Sequence, residues 1–249
     1  MLGRWQHRLF MRSVQKTAAA ASALFCICEG MSRDYAAYFR RPCLTIHTPA
    51  TISQPLQETK KKKISYLGNL GLYRDRQLVE IGRALKSLGL QPAHIDVYSA
   101  ESRKEILSEM TEENGIVFHG PVDADEVLRI MGESLAVLHT ESFDESIRQS
   151  VRYSVSTKIA DSLASGTCIF AYGPEEVASI SYLKQHGAAV CCTAPQMLVK
   201  QLTCLIQDYA LRAQTVERAL ALAEQNHARG RTPEIIRKEL QKQHEGLTG

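Results

Sequence analysis

The sequence predicts an α/β fold in which one parallel sheet is covered by helices on both faces. Two observations carry that expectation. From Ile64 onward, short apolar runs alternate with segments of helical periodicity. The apolar runs are continuous rather than alternating apolar with polar, as strands buried on both faces are. Right-handed crossovers then make the sheet doubly wound and Rossmann-like.

The elements follow in order. Ile64-Ser-Tyr-Leu-Gly68 reads as a strand. Leu78, Ile81, Leu85 and Leu88 repeat at helical spacing, and Gly89 stops that helix. His94–Tyr98 is a second strand, Glu101–Met110 a short helix and Gly115–His119 a third strand. Asp123-Ala-Asp-Glu126 caps a helix whose apolar face holds Val127, Ile130 and Met131. Leu135–His139 and Cys168–Tyr172 are the fourth and fifth strands. A helix over Pro174–Gln185, with Pro174 in its first turn, leads to a sixth strand, Ala188–Cys192. From Pro195 to about Glu245 the chain reads as helical, with breaks near Asp208 and Gly230–Pro233.

The front is organised differently. Trp5 to about Ala20 reads as helix, Leu24–Cys28 as strand, Met31–Phe39 as helix and Cys43–His47 as strand. This βαβ piece is too small to bury a core alone. The apolar run Ala18–Cys28 could be a signal segment, but no small-x-small cleavage pattern follows. The expected organisation is an incomplete domain over 1–53, a linker over 54–63 with the Lys60–Lys63 run, a Rossmann-like domain over 64–227 and a terminal helix over 228–249.

Composition narrows the partners. Hydrophobic residues make up 44% and charged residues 23% of 249, ordinary for a globular protein. A net charge of +3 and 6% aromatics argue against nucleic acid. No run reaches about 18 apolar residues, as a spanning helix requires. The seven cysteines, Cys26, Cys28, Cys43, Cys168, Cys191, Cys192 and Cys204, mostly sit in apolar runs with no C-x-x-C pair. That pattern points to reduced thiols in the cytoplasm.

In an open parallel sheet, ligands bind outside the carboxyl ends of the strands. Five loops there carry polar or glycine residues. In Gly68-Asn-Leu-Gly71-Leu-Tyr-Arg74, two glycines let backbone approach a phosphate and Arg74 can grip it, although a plain βα turn is equally compatible. His119-Gly120-Pro-Val could edge a flat base, or simply turn. His139-Thr-Glu-Ser-Phe-Asp-Glu-Ser146 gathers carboxylates; Glu141, Ser142 and Phe143 could meet a sugar, and the alternative is a solvated acidic loop. No His/Glu spacing there supports a metal.

The fourth loop opens a helix, Val155-Ser-Thr-Lys-Ile-Ala-Asp161. Its Ser156, Thr157 and Lys158 amides suit an anion, and Lys158 adds charge where a helix end is already positive. A bound anion explains that placement; a Lys158–Asp161 surface pair explains the pairing alone. The fifth loop, Ala171–Glu176, is structural.

With these loops in order, Ile64–His227 resembles the C-terminal, donor-binding domain of a GT-B glycosyltransferase of the family 4 type. Ser156–Gly166 followed by Thr167–Pro174 carries the strongest match, and Ile64–Arg74 and Ile116–Glu145 match in sequence order. The resemblance implies that Asp161 holds the donor ribose and that the first member of the family's acidic pair falls on Tyr153. It implies a diphosphate site at Gly68, Asn69, Gly71, Arg74, Ser156, Thr157 and Lys158, and a base edge at His119 and Gly120. It implies no resident cofactor and no catalytic metal, the substrate being a UDP- or GDP-type sugar.

The front segment, Ala23–Ala50, resembles the last part of the family's acceptor-binding domain. That implies a shortened chain or a second chain supplying the rest. The expected function is sugar transfer from a nucleotide-diphosphate sugar to a carbohydrate or lipid-linked acceptor, as in surface polysaccharide synthesis, in the cytoplasm or peripheral at the inner membrane face. The alternative is a non-catalytic nucleotide-sugar-binding module. An NAD oxidoreductase fits poorly, because the second strand ends in Tyr98-Ser99 without the usual acidic residue.

Overall fold

The structure, a computed structural model, describes residues 4–52 and 63–248. The expected linker lies outside them, apart from Lys63. The chain divides into two compact units, Met1–Pro49 with Arg229–Gly249, and Ala50–Ala228.

The first unit contains α1 (Arg4–Ala20), β1 (Phe25–Cys26), α2 (Glu29–Phe39), β2 (Leu44–Thr45) and, from the far end of the chain, α11 (Arg231–Thr248). The strands are shorter than expected and pair in parallel, Phe25 opposite Leu44 and Cys26 opposite Thr45. Helix α2 starts before Met31 because the Cys28 thiol accepts from the Met31 amide at 3.4 Å, which caps it. Thr232 donates to the His47 carbonyl at 2.7 Å, tying α11 to the end of β2.

The second unit holds a six-stranded parallel sheet. Its strands are β3 (Lys63–Leu67), β4 (Ile95–Tyr98), β5 (Ile116–Gly120), β6 (Ser134–Thr140), β7 (Cys168–Tyr172) and β8 (Val190–Cys192). Their order is β5-β4-β3-β6-β7-β8. Counted from β3, that is the doubly wound order, with its reversal between β3 and β6.

Side chains alternate across this sheet as the pleat requires. On β7, Cys168, Phe170 and Tyr172 face one core with Leu78, Leu85, Leu202 and Leu205. These leucines belong to α3 (Arg74–Leu88) and α9 (Leu198–Gln207). Ile169 and Ala171 face the other core with Ile159, Leu163, Ile180 and Leu222. Those come from α7 (Lys158–Ala164), α8 (Ala178–Gln185) and α10 (Tyr209–His227). Each fully buried leucine or isoleucine contributes about 1.5–3 kcal/mol, so both cores hold the sheet.

Three local expectations need correction. The helix expected over Glu101–Met110 is one turn, α4 (Lys104–Leu107), because Glu101 folds back onto the Ser102 and Arg103 amides at 2.9 Å. The acidic loop after β6 contains a helix, α6 (Glu145–Val151), capped by Asp144, whose Oδ1 accepts from the Ser146 amide at 3.0 Å. The helix expected from Pro174 begins at Ala178. Val177 closes a turn onto the Pro174 carbonyl, and the Ala178 amide is spent on the Arg152 carbonyl at 2.9 Å. Helix α5 (Ala124–Glu133) is capped by Asp123, whose Oδ1 takes the Glu126 amide at 2.8 Å.

Candidate functional site

A cleft of about 1060 Å³ lies at the carboxyl ends of β3, β4 and β6, where the strand order reverses. The loop after β3 supplies Gly68 and Asn69, and α3 supplies Arg74. The end of β6 supplies His139 and Thr140. Ser156, Thr157, Lys158 and Asp161 come from the start of α7. Residues far apart in sequence converge because parallel strands all end on one side of the sheet.

The loop after β3 is built differently from a simple glycine turn. Leu70 is fully buried and anchors it. Asn69 Oδ1 accepts from the Gly71 amide at 2.6 Å, and Tyr66 Oη donates to the Asn69 carbonyl at 2.6 Å. The left-handed positions are Leu72 and Tyr73 (φ 60° and 59°), not the glycines. Gly68 serves a close approach instead. A Cβ there would lie 3.0 Å from Tyr66 Oη and 3.2 Å from Lys158 Nζ. Gly71 does not line the cleft.

Lys158 Nζ reaches across to donate to the Leu67 carbonyl at 2.9 Å. Loss of water around the ammonium, and then the Arg74 guanidinium, push its pKa down. Thr157 occupies the N-cap of α7 without a side-chain capping bond. Arg74 is fixed more firmly. Its Nε donates to the Thr140 carbonyl at 3.2 Å and its Nη2 to both Glu141 oxygens at 3.1 Å.

Glu141, Ser142 and Phe143 were expected at the sugar, but none lines the cleft. Glu141 and Ser142 are each 1% exposed, and Phe143 packs on Tyr172 with ring centroids 5.0 Å apart. A chain turning inward after β6 brings Gly173 so close that a Cβ would meet the Glu141 carbonyl oxygen at 2.9 Å. Glu141 therefore sits beneath Arg74. Burial raises its carboxyl, and Arg74 opposes that shift. His139 Nε2 lies 2.9 Å from Ser179 Oγ, and burial followed by Arg74 pushes its pKa down to about 3.

The base-edge pair is also corrected. His119 and Gly120 are outside the cleft lining, and Pro121 and Val122 form the wall there. His119 lies on the sheet's edge strand, stacked on Tyr98 at 4.6 Å, with Nε2 2.6 Å from Asp96 Oδ1. Tyr153, at the first acidic position, lies under the Arg152 guanidinium at 4.9 Å.

Asp161 does line the cleft, but its Oδ1 is engaged. It accepts from the Thr51 amide at 2.6 Å, Thr51 Oγ1 at 2.8 Å and the Ile52 amide at 3.3 Å. Sequence reading missed Thr51, Tyr66 and the loop after β4. In that loop Glu101 accepts from Arg103 Nε at 2.9 Å, and both line the cleft. The strand-end rule points to this loop as well, so it was legible. Thr51 lies 110 residues from its partner and left no local signal. Among the described residues, no group of three or more His, Cys, Asp or Glu side chains is placed to hold a metal ion.

The profile of a family described as glycosyl transferase-like matches residues 76–236. Comparison with curated proteins found no match. Among solved structures, TarM is similar with a TM-score of 0.70 at 14% identity, over 93% of this chain and 45% of TarM. A TarM variant from S. aureus was solved in complex with Fondaparinux, alpha-GlcNAc-glycerol and UDP. HepE of Anabaena, solved with UDP and glucose, is similar at 0.70 and 15% identity, over 97% of this chain and 68% of HepE. The GtfA/B complex gives 0.70 at 13% identity, over 93% and 47%. At such identities the likeness is one of fold, that of a Rossmann-like GT-B domain. The chain spans about half the length of TarM.

Proposed function

The chain belongs to the glycosyl transferase-like family, and from that premise we propose that its cleft binds a nucleotide-diphosphate sugar for transfer to a carbohydrate or lipid-linked acceptor. The observation that carries this is the convergence of Lys158 and Arg74 on one cleft at the strand reversal. The Arg74 side chain is only 18% exposed, and the Lys158 ammonium is disfavoured by loss of water and then by Arg74. A diphosphate between them relieves that repulsion and, on leaving, is stabilised by the same groups. Gly68, Asn69 and the Ser156–Thr157 amides complete the diphosphate end. Asp161 faces the ribose from a carboxylate already steadied by Thr51. UDP is the favoured nucleotide, because the HepE and TarM structures contain it.

The reaction is of the family 4 type and belongs to surface polysaccharide assembly. We place it in the cytoplasm, peripheral at the inner membrane face, in keeping with seven free thiols. The test is calorimetry with UDP, GDP and ADP. UDP binds the native chain, and Lys158→Ala weakens it more than tenfold without unfolding; unchanged affinity sinks the assignment.

A second reading, a donor-binding module without turnover of its own, is favoured by the first unit. Its sheet has two strands of two residues each. In this reading a second chain supplies the acceptor site; the similar GtfA/B structure is itself a complex. Turnover of a UDP-sugar by the purified chain excludes this reading, and UDP binding without turnover supports it.

A further inference from the structure

Helix α1 presents a surface that its own unit does not use. None of its 17 residues is acidic. Arg8, Arg12 and Lys16, spaced four apart, are all exposed, and none forms an ion pair with another described residue. Residues four apart advance only about 40° around a helix, so the three cations form one stripe. Trp5 and Leu9 fall on the same side, 72% and 44% exposed. Phe10, 57% exposed, projects about 140° away from Trp5 and lies outside this stripe. The side of α1 turned inward carries Met11, Val14 and the buried Ala18.

This combination has a chemical logic. Exposed aromatic and aliphatic groups need a low-dielectric partner. The adjacent unpaired guanidinium and ammonium groups need a negatively charged one. An anionic bilayer offers both within a few ångströms: phosphates at the headgroup level and acyl chains beneath. An indole settles at that boundary, while arginine and lysine stems lie along the apolar layer with their charges in the headgroups. A protein groove lined with carboxylates satisfies the cations but leaves Trp5 and Leu9 wet.

We propose that α1 is a docking surface for an anionic lipid bilayer, held by Arg8, Arg12 and Lys16 and seated by Trp5 and Leu9. The proposal deepens the peripheral placement given above and rests on that reading, not on the donor cleft. It brings the chain to the surface where a lipid-linked acceptor resides.

The test is flotation of the full chain with phosphatidylcholine vesicles, with and without about one-third phosphatidylglycerol. Binding to the anionic vesicles alone, weakening as salt rises, is expected. The triple variant Arg8→Gln/Arg12→Gln/Lys16→Gln should lose about a hundredfold in partitioning. Trp5→Ala should weaken binding with the salt dependence unchanged. All these side chains are exposed, and UDP calorimetry on each variant shows that the fold and cleft survive. Equal binding to both vesicle types, or an unchanged triple variant, overturns the proposal. So does a chain whose α1 variants leave vesicles unaffected but dissociate an oligomer in sedimentation. Loss of UDP binding with vesicle binding intact would count against the donor cleft alone.

Discussion

Arg74 Nη2 donates to both carboxylate oxygens of Glu141 at 3.1 Å, with the arginine side chain 18% exposed and the glutamate 1%. Nε of the same guanidinium is bound to the Thr140 carbonyl. Arg74 is thus oriented from below by Glu141, which does not line the cleft, and from the cleft wall by the Thr140 carbonyl, and its charge is partly cancelled before any ligand arrives. Lys158, whose own bond is to a neutral carbonyl, carries the larger uncompensated charge. The two cations therefore divide the work: Arg74 fixes geometry and Lys158 supplies attraction.

Removing Glu141 should expose that division. Glu141→Ala leaves a mostly buried guanidinium without its partner, at a cost of about 2–4 kcal/mol, below the fully buried limit because Arg74 touches the cleft. Glu141→Gln keeps the volume and one acceptor and should cost about 1 kcal/mol. Urea unfolding of both variants checks the order. An alanine variant as stable as the native chain would show that the pair contributes nothing to the fold.

Lys158 gives the cleft a pH signature. Its folded-state pKa is lowered by desolvation and then by Arg74. An anion binds the protonated form, so UDP affinity should hold at neutral pH and fall as pH rises through the lowered value. Lys158→Arg keeps its charge over the whole range and should abolish that fall. Calorimetric Kd values measured from neutral to alkaline pH decide it, and parallel profiles for the two proteins would rule Lys158 out as the titrating group.

Gly68→Ala isolates the approach between the loop and α7. The added methyl meets Tyr66 Oη and Lys158 Nζ. The lysine end is flexible and gives way first, leaving the Leu67 carbonyl. We expect a loss of about 1 kcal/mol in stability and roughly a tenfold loss in UDP affinity. Native affinity in this variant would mean that the lysine need not be held there.

The strand sequence was legible because continuous apolar runs such as Cys168–Tyr172 report burial on both faces, whereas the place of the reversal, between β3 and β6, is given by the pairing order. Convergence of Arg74, Lys158 and Asp161 followed from the strand-end rule alone. Glu141 was misplaced for a physical reason: a carboxylate at a strand end reads as solvated unless its buried cation is known, and that cation lies 67 residues away. His119 was misplaced because periodicity does not say that β5 is the sheet edge. Only the pairing order does.

His139 makes the floor of the cleft acid-sensitive. Burial, and then Arg74, hold its folded-state pKa near 3. The unfolded chain takes up a proton on this histidine below about pH 6.5, whereas the folded chain does not. The stability it contributes is therefore complete above that pH and is lost as pH falls toward 3, by up to about 1.4 kcal/mol per pH unit. Other histidines and the raised Glu141 carboxyl titrate in the same region, so His139 is read from the difference between the native chain and a variant without it between about pH 5 and 6.5. His139→Gln can keep a bond to Ser179 without titrating. In that window the native chain should lose stability relative to this variant as pH falls. Matching slopes would mean that His139 is protonated in the folded state, and that the Arg74 charge is screened from it.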